Sequence, residues 1–386
     1  MLLKKLEKDL NQAINLAKFA PSSHNSQPWQ IALVKSQSGK EIIDKFCNLG
    51  EINADYYLIL SLNQERCLNS LAAHDLEMSL SCGAFLESLT IALASQNLQA
   101  IPSWYNSSIN SNPLPESIAL PSTWIPISII AIGRAQEVIG NDIAKEKVAF
   151  FQKRITNRGP YQKIQIPAAL IQKLKTSQSF SFPEIHHQCQ ITLIEEPNQI
   201  EQVGTFFKSH SRIEVTEPSV WKETYQWMHF GEGKIQQAED GLPVTQLLGS
   251  LSPLSQQVYK VLLSPPSVRL LNSVGLADYI ASEYAKLIED APLLVYFNFN
   301  SEDPSLKTQL GGGALWLNFC LNATAAGLAV QPMSVVLQHP DIRSCFQEKF
   351  YLPSGRGFFF CRIGYPVVSF PPAPKKKNPC QEVCML

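Results

Sequence analysis

The 386-residue chain has little charge and almost no excess of either sign. Asp, Glu, Lys and Arg make up 17% of it, and 32 basic residues against 33 acidic ones leave a net charge of -1. Without a basic excess it cannot displace the counterions of a nucleic-acid duplex, so no nucleic-acid partner is expected. With 45% apolar residues it also lacks the composition of a disordered chain. Long apolar runs are missing. The longest, around Trp124–Ile132, is strand-sized, well short of the roughly 20 residues of a membrane helix. MLLKKLEKDL carries Lys4, Lys5, Glu7, Lys8 and Asp9 where a signal peptide would be apolar. No membrane partner and a cytoplasmic location are therefore expected. A disulfide or metal pattern is missing too. The nine cysteines are scattered and odd in number, Cys380 and Cys384 have no second ligand pair for zinc, and Cys384 stands one place too late for prenylation. At roughly 100–200 residues per domain, the length allows two or three domains or one large one, with core enough to need no staple.

What is present has an order. Residues 3–19 read as an amphipathic helix with Leu3, Leu6, Leu10, Ile14 and Ala17 on one stripe, ended by Ala20-Pro21. A loop SSHNSQP follows, then strands at Trp29–Val34 and Tyr57–Leu62, a helix at Gly83–Asn97, a Pro/Ser/Asn-rich loop at 102–123 and a strand at Ile125–Ile132. The second half repeats this: a helix near 167–175, strands at Gln190–Ile194 and Leu293–Phe299, a helix at Gly313–Ala326 and a strand at Gly357–Ile363. The helices superpose at an offset of 230 (Gly83 on Gly313, Leu98 on Leu328) and the early strands at 160 (Gln30 on Gln190). An insertion at about 205–285 in the second copy accounts for the difference. The halves are taken as 1–140 and 141–386. The expected fold class is α+β: mixed, mainly antiparallel sheets wrapped by helices, two copies forming a pseudo-dimer in one monomeric chain. A ligand site between such halves can become asymmetric.

Two strings carry chemistry. APSSHNSQPW, Ala20 to Trp29, offers two carboxamides that present donors and acceptors in one plane, although Ser, Asn and Pro also make ordinary turns. Ser22, Ser23 and His24 are not expected to form a hydrolase triad, since consecutive residues generally do not face one another as nucleophile and base must. RITNRGPY, Arg154 to Tyr161, holds two guanidinium forks suited to phosphate oxygens; solvated surface arginines are the alternative. The insertion contains Trp221, Tyr225, Trp227, His229 and Phe230, which either pack on the body or form a lid. Gly311–Gly313 lack dinucleotide-fingerprint spacing and suit a helix starting close to its neighbour.

These strings resemble those of nitroreductase-like flavoproteins. APSSHNSQPW resembles their APS-x-x-N-x-QPW signature, RITNRGPYQKIQIPAALIQKL their arginine segment, and FFFCRIGYP their late strand and turn. CGAFLESLTIALASQNLQA and GGGALWLNFCLNATAAGLAVQPMS both resemble their long central helix. The order, with the closing PPAPKKK, resembles the Acg-type branch, in which two such halves are fused. The resemblance implies FMN between the halves. Arg154, Thr156, Asn157 and Arg158 would face its phosphate, ribityl chain and pyrimidine edge, and Ser22, Asn25 and Gln27 would fix the ring. Pro332, Met333 and Ser334 would lie near flavin N5, and Lys375 and Lys376 would help hold the phosphate. Two positions depart from the pattern: Ile155 replaces an arginine, and Ser334 stands where relatives can carry an acid. The second half has SFSFPEIHHQ in place of the polar loop, with His186 and His187 expected in solvent, so one FMN per chain is expected. The implied activity is FMN-dependent reduction or dehydrogenation of a small planar substrate, with NAD(P)H as candidate reductant and no side-chain acid required. The competing readings are a lid-closed FMN-sequestering protein and a chain whose cofactor site has decayed.

Overall fold

The computed structural model describes residues 2–47, 54–104, 118–134, 141–179, 181–378 and 380–382; Cys384 lies outside them. The first half is built on strands β1 (Trp29–Val34), β2 (Tyr56–Asn63), β3 (Leu98–Trp104) and β4 (Trp124–Arg134). The second has β5 (Cys189–Ile194), two-residue strands β6 (Met228–His229) and β7 (Leu242–Pro243), then β8 (Leu293–Phe299), β9 (Ala329–Pro332) and β10 (Gly357–Gly364). The last strand, β11 (Cys380–Glu382), returns to the first half and pairs parallel with β1, Ile31 opposite Cys380. The sheets have the orders β11-β1-β2-β4-β3 and β5-β8-β10-β9, with β6 and β7 paired apart. Apart from β11 and the β6–β7 pair, their ladders are antiparallel.

Both sheets are buried on both faces, which explains why β1, β2 and β8 read as continuous apolar runs. Successive side chains point to opposite sides of a strand. Ile31 and Leu33 accordingly enter the central core, while Ala32 and Val34 meet Ile43 on the outer side. Leu293, Val295, Phe297 and Phe299 likewise enter the central core, while Leu294 and Tyr296 join a second core with Phe206, Phe207 and Phe346.

Between the sheets run two long helices, Ala73–Ser95 and Leu306–Ala325. Their crossing is reciprocal. A Cβ on Gly83 would lie 1.9 Å from the Leu310 carbonyl oxygen, and one on Gly313 would lie 1.9 Å from that of Leu80. Each of these pairs is one position seen from the two copies, so a pseudo-twofold axis passes through the crossing. This fits a nitroreductase-like fold present twice in one chain.

Several boundaries differ from the sequence reading. The central helices begin at Ala73 and Leu306, not Gly83 and Gly313. Their middles are buried on nearly every side, while their first turns are polar, with Asp75 and Lys307 exposed, and so lack the apolar recurrence by which a helix is read. The glycines sit mid-helix, where they allow close approach: Gly312 meets the Phe299 ring and Gly311 meets Ile185. Residues 102–104, read as loop, finish edge strand β3, where Pro102 is tolerated. The helix Gln37–Cys47 and strand β11 carried no recognised pattern. By length and composition Ala73–Ser95 could cross a membrane, but 83% of its most apolar window is buried inside the protein.

Candidate functional site

The first wall of the site is the loop after the N-terminal helix. Ser23–Asn25 form one 3-10 turn, and His24, Asn25 and Gln27 have φ of 49°, 53° and 50°. Side chains rarely adopt this left-handed region, and three so close together must be held there. The holding bonds run mostly to distant segments. Gln27 N–H donates to Ser22 Oγ (3.0 Å), Asn25 Nδ2 donates to the carbonyls of Gly241 (3.0 Å) and Pro374 (2.8 Å), and Gln27 Nε2 donates to that of Glu239 (2.8 Å).

The opposite wall is the arginine segment of the second half. Thr156 bridges to Val330 of β9, which sets the direction of the chain from Arg154 to Arg158. The C-terminal segment closes one end: Lys375 Nζ donates to the Ala20 carbonyl (3.0 Å) and to Asn25 Oδ1 (3.1 Å). The insertion supplies the roof through Leu242 and Gln246, and Arg158 donates to the Gln246 carbonyl (3.4 Å). The resulting cleft encloses a cavity of about 80 Å³ that opens to solvent. Of the expected residues, Ser22, Asn25, Arg154, Thr156, Arg158 and Lys375 line it, as does Ile155.

Charge in this cleft is unbalanced. Among the described residues no ion pair forms on Arg154, Arg158 or Lys375, and Arg154 Nε is buried without a partner. Burial, with the Arg154 charge adding to it, holds the Lys375 ammonium well below the ordinary lysine range. Burial also lowers both guanidinium groups, with Glu214 and Tyr284 opposing it at Arg158. Arg154 and Lys375, half-buried cations that repel each other with no acid beside them, form a site for an anion.

The other expected residues lie outside the lining. Gln27 and Asn157 are buried and committed to packing. Gln27 Oε1 accepts from Lys376 N–H (3.1 Å), and Asn157 Nδ2 donates to the Val368 carbonyl (2.6 Å). The Lys376 ammonium turns away to the Trp29 carbonyl (2.7 Å) and Gln30, and burial lowers its pKa to about 7. Pro332, Met333 and Ser334 are absent from the cleft wall: the Met333 N–H is taken by the Phe360 carbonyl (2.7 Å), and Ser334 Oγ accepts from Phe360 N–H (3.3 Å). The commitments of Gln27, Asn157 and Lys376 join segments hundreds of residues apart and leave no local trace in the chain.

The cleft also includes residues the sequence reading passed over: His24, Gln246, Leu242 and Ala373. His24 is the most informative. Its Nε2 faces Thr224 Oγ1 of the insertion (3.2 Å), and its Nδ1 faces Ser23 Oγ (3.4 Å), which donates to Glu77 (2.5 Å). Burial first, then nearby His74 and Arg158, bring its pKa to about 4 against the opposing pull of Glu77 and Glu223. At neutral pH it is an uncharged linker between loop and roof. The insertion is latched elsewhere too, by Arg66 on Asp240 (2.6 Å) and by Glu223 on Ser70 (2.6 Å) and His74 (3.1 Å). The aromatic cluster largely packs: Trp221 and Phe230 are buried, and Trp221 Nε1 donates to the Leu263 carbonyl (2.8 Å).

The two sheets, the reciprocal helices and an anion-seeking cleft between the halves define a nitroreductase-like fold. Among solved structures, a protein of Anabaena variabilis described as a nitroreductase matches 95% of this chain and 89% of its own, with a TM-score of 0.56 at 9% identity. Among curated proteins, the chain is 25% identical over 373 residues to PigM of Serratia sp., described as an NAD(P)H nitroreductase, covering 96% of this chain and 92% of that one. No family model matches.

Proposed function

We propose that the chain is an FMN-dependent oxidoreductase of the nitroreductase superfamily, with NAD(P)H as reductant and a small planar organic molecule as substrate. It binds one FMN between the halves 1–140 and 141–386 and acts in the cytoplasm as a monomer equivalent to a dimer. The observation that carries this reading is the pair of uncompensated cations in the cleft, Arg154 and Lys375. Arg154, with its unpartnered Nε, and Lys375 fit a phosphate monoester, and charge-assisted bonds of this kind are the strong ones.

Along the same wall Thr156 and Ser22 offer hydroxyls to a polyol chain. Arg158 and Asn25 offer donors to the edge of a planar ring, Asn25 after exchanging a bond it now makes within the protein. When bound, FMN supplies hydride chemistry. Arg158 keeps positive charge beside any anion that develops in the cleft. Leu242 and Gln246 limit water from above. His24 stays neutral at pH 7, so it can orient a ligand by hydrogen bonding but adds no charge. Gln27, Asn157 and Lys376 support the walls, and backbone at Pro332–Ser334 would reach a flavin only with a shift of β9.

PigM being described as an NAD(P)H nitroreductase supports an enzyme over a sequestering protein. The test is anaerobic mixing of FMN-loaded protein with NADPH or NADH while the oxidised flavin band is followed. Rapid bleaching is expected. Bleaching by dithionite alone would favour a binding protein and overturn the reductase reading.

A further inference from the structure

Part of the insertion is built inside out. In the helix Pro253–Leu262 the buried residue is a glutamine, Gln256, which holds the Leu251 carbonyl and the Gly231 N–H. The large apolar residues face outward: Leu254 is 76% exposed and Val261 65%, with Val258 and Leu262 beside them. The next helix, Pro265–Asn272, packs on it and exposes Leu270 at 72%, followed by Val274 at 79%. Tyr279 on the third helix, Leu276–Glu289, is exposed as well. A soluble surface carries apolar residues singly; a group like this marks an interaction face.

Its charge says what kind. From Gly241 to Ala277 there is no Asp or Glu, and the charged residues are Lys260 and Arg269, both exposed; the next acid, Asp278 beside Tyr279, pairs with Arg212 (3.2 Å). A second copy of the chain would set these cations against their own images across a twofold axis, and Asp278 beside Tyr279 is already held by Arg212. Anionic lipid headgroups complement them, while the outward Leu and Val side chains reach the acyl boundary. We infer that this face of the insertion rests on the surface of an anionic phospholipid bilayer. The absence of an exposed spanning helix, from which the sequence reading expected no membrane, does not bear on surface docking. The inference is independent of the cofactor reading.

Sedimentation of the full chain with vesicles of phosphatidylcholine, alone or mixed with phosphatidylglycerol, tests it. Binding is expected with the mixed vesicles and weaker binding with phosphatidylcholine alone. The triple variant Leu254→Ser, Val261→Ser, Leu270→Ser should lower the bound fraction about tenfold, and Lys260→Gln with Arg269→Gln should remove the preference for phosphatidylglycerol. These side chains are exposed, so unchanged circular dichroism should accompany the loss. No binding to either vesicle, binding that ignores the variants, or a wild-type dimer that the triple variant turns into a monomer by light scattering would each overturn the inference.

Discussion

The loop before β1 and the loop before β5 occupy one position of the fold, and they have diverged completely. Each follows a helix, contains a 3-10 turn and enters a strand at an offset of 160. Where the first has Ser22 and Asn25, the second has Phe182 and Ile185, both buried in the central core. Phe182 packs on Trp104, and Ile185 fills the space left by Gly311. The helix positions opposite have changed in step. Ser81, whose Oγ accepts from Ser23 N–H (3.3 Å), corresponds to Gly311, and Glu77, which Ser23 binds, corresponds to Lys307, which pairs with Glu184 (2.9 Å). One position kept polar groups around a cleft, and its counterpart became core. His186 and His187 are exposed there, as the sequence reading expected.

The comparison can be broken at several points. The largest effect is expected from Phe182→Ala, which removes core without opening a site. It should cost about 3–5 kcal/mol in thermal unfolding and leave the flavin content unchanged; a second bound flavin would show that the position is latent, not lost. Next come Gly83→Ala and Gly313→Ala. Each puts a methyl against a backbone carbonyl and should cost about 3 kcal/mol. Similar losses would support the pseudo-twofold crossing, and tolerance of just one would refute it.

Acid sensitivity distinguishes the loops next. His24 has a folded pKa of about 4, depressed from 6.5, so the unfolded chain takes up the proton first as pH falls. Stability is therefore complete above about pH 6.5 and declines toward pH 4, by up to about 3 kcal/mol. His24→Gln should flatten that decline in unfolding midpoints. The smallest expected change is in affinity. Arg154→Ala and Lys375→Ala should each weaken FMN binding about ten- to hundredfold in a fluorescence titration. Lys376→Ala should lower stability with little direct effect on affinity, since its ammonium turns to Trp29 and Gln30.

The parts of the fold visible in the chain were those whose signal is local. Trp29–Val34 and Leu293–Phe299 have the bounds expected for them because buried β-branched and aromatic runs flanked by turn residues admit little else. The starts of the central helices were hidden because their first turns, with Asp75, Glu77, Lys307 and Thr308, are polar and carry no apolar recurrence. β11 was hidden because three residues acquire strand form only against β1. In the site, the arginine segment and the Ser22–Asn25 turn were legible as clusters of polar groups. What the chain could not convey is which of them line the cleft. Gln27 resembles Asn25 in sequence, and both are tied to segments more than 200 residues away, yet Asn25 lines the cleft and Gln27 is buried behind it. His24 passed as a turn residue until Thr224, 200 residues on, met it across the cleft.

The central claim is that duplication left a single cofactor site. Flavin released from purified, FMN-saturated protein, measured against protein concentration by amino-acid analysis, tests it most directly. One FMN per chain is the predicted result. A ratio near two would contradict the loss of the second site, and a ratio near zero after saturation would contradict the assignment of the cleft itself.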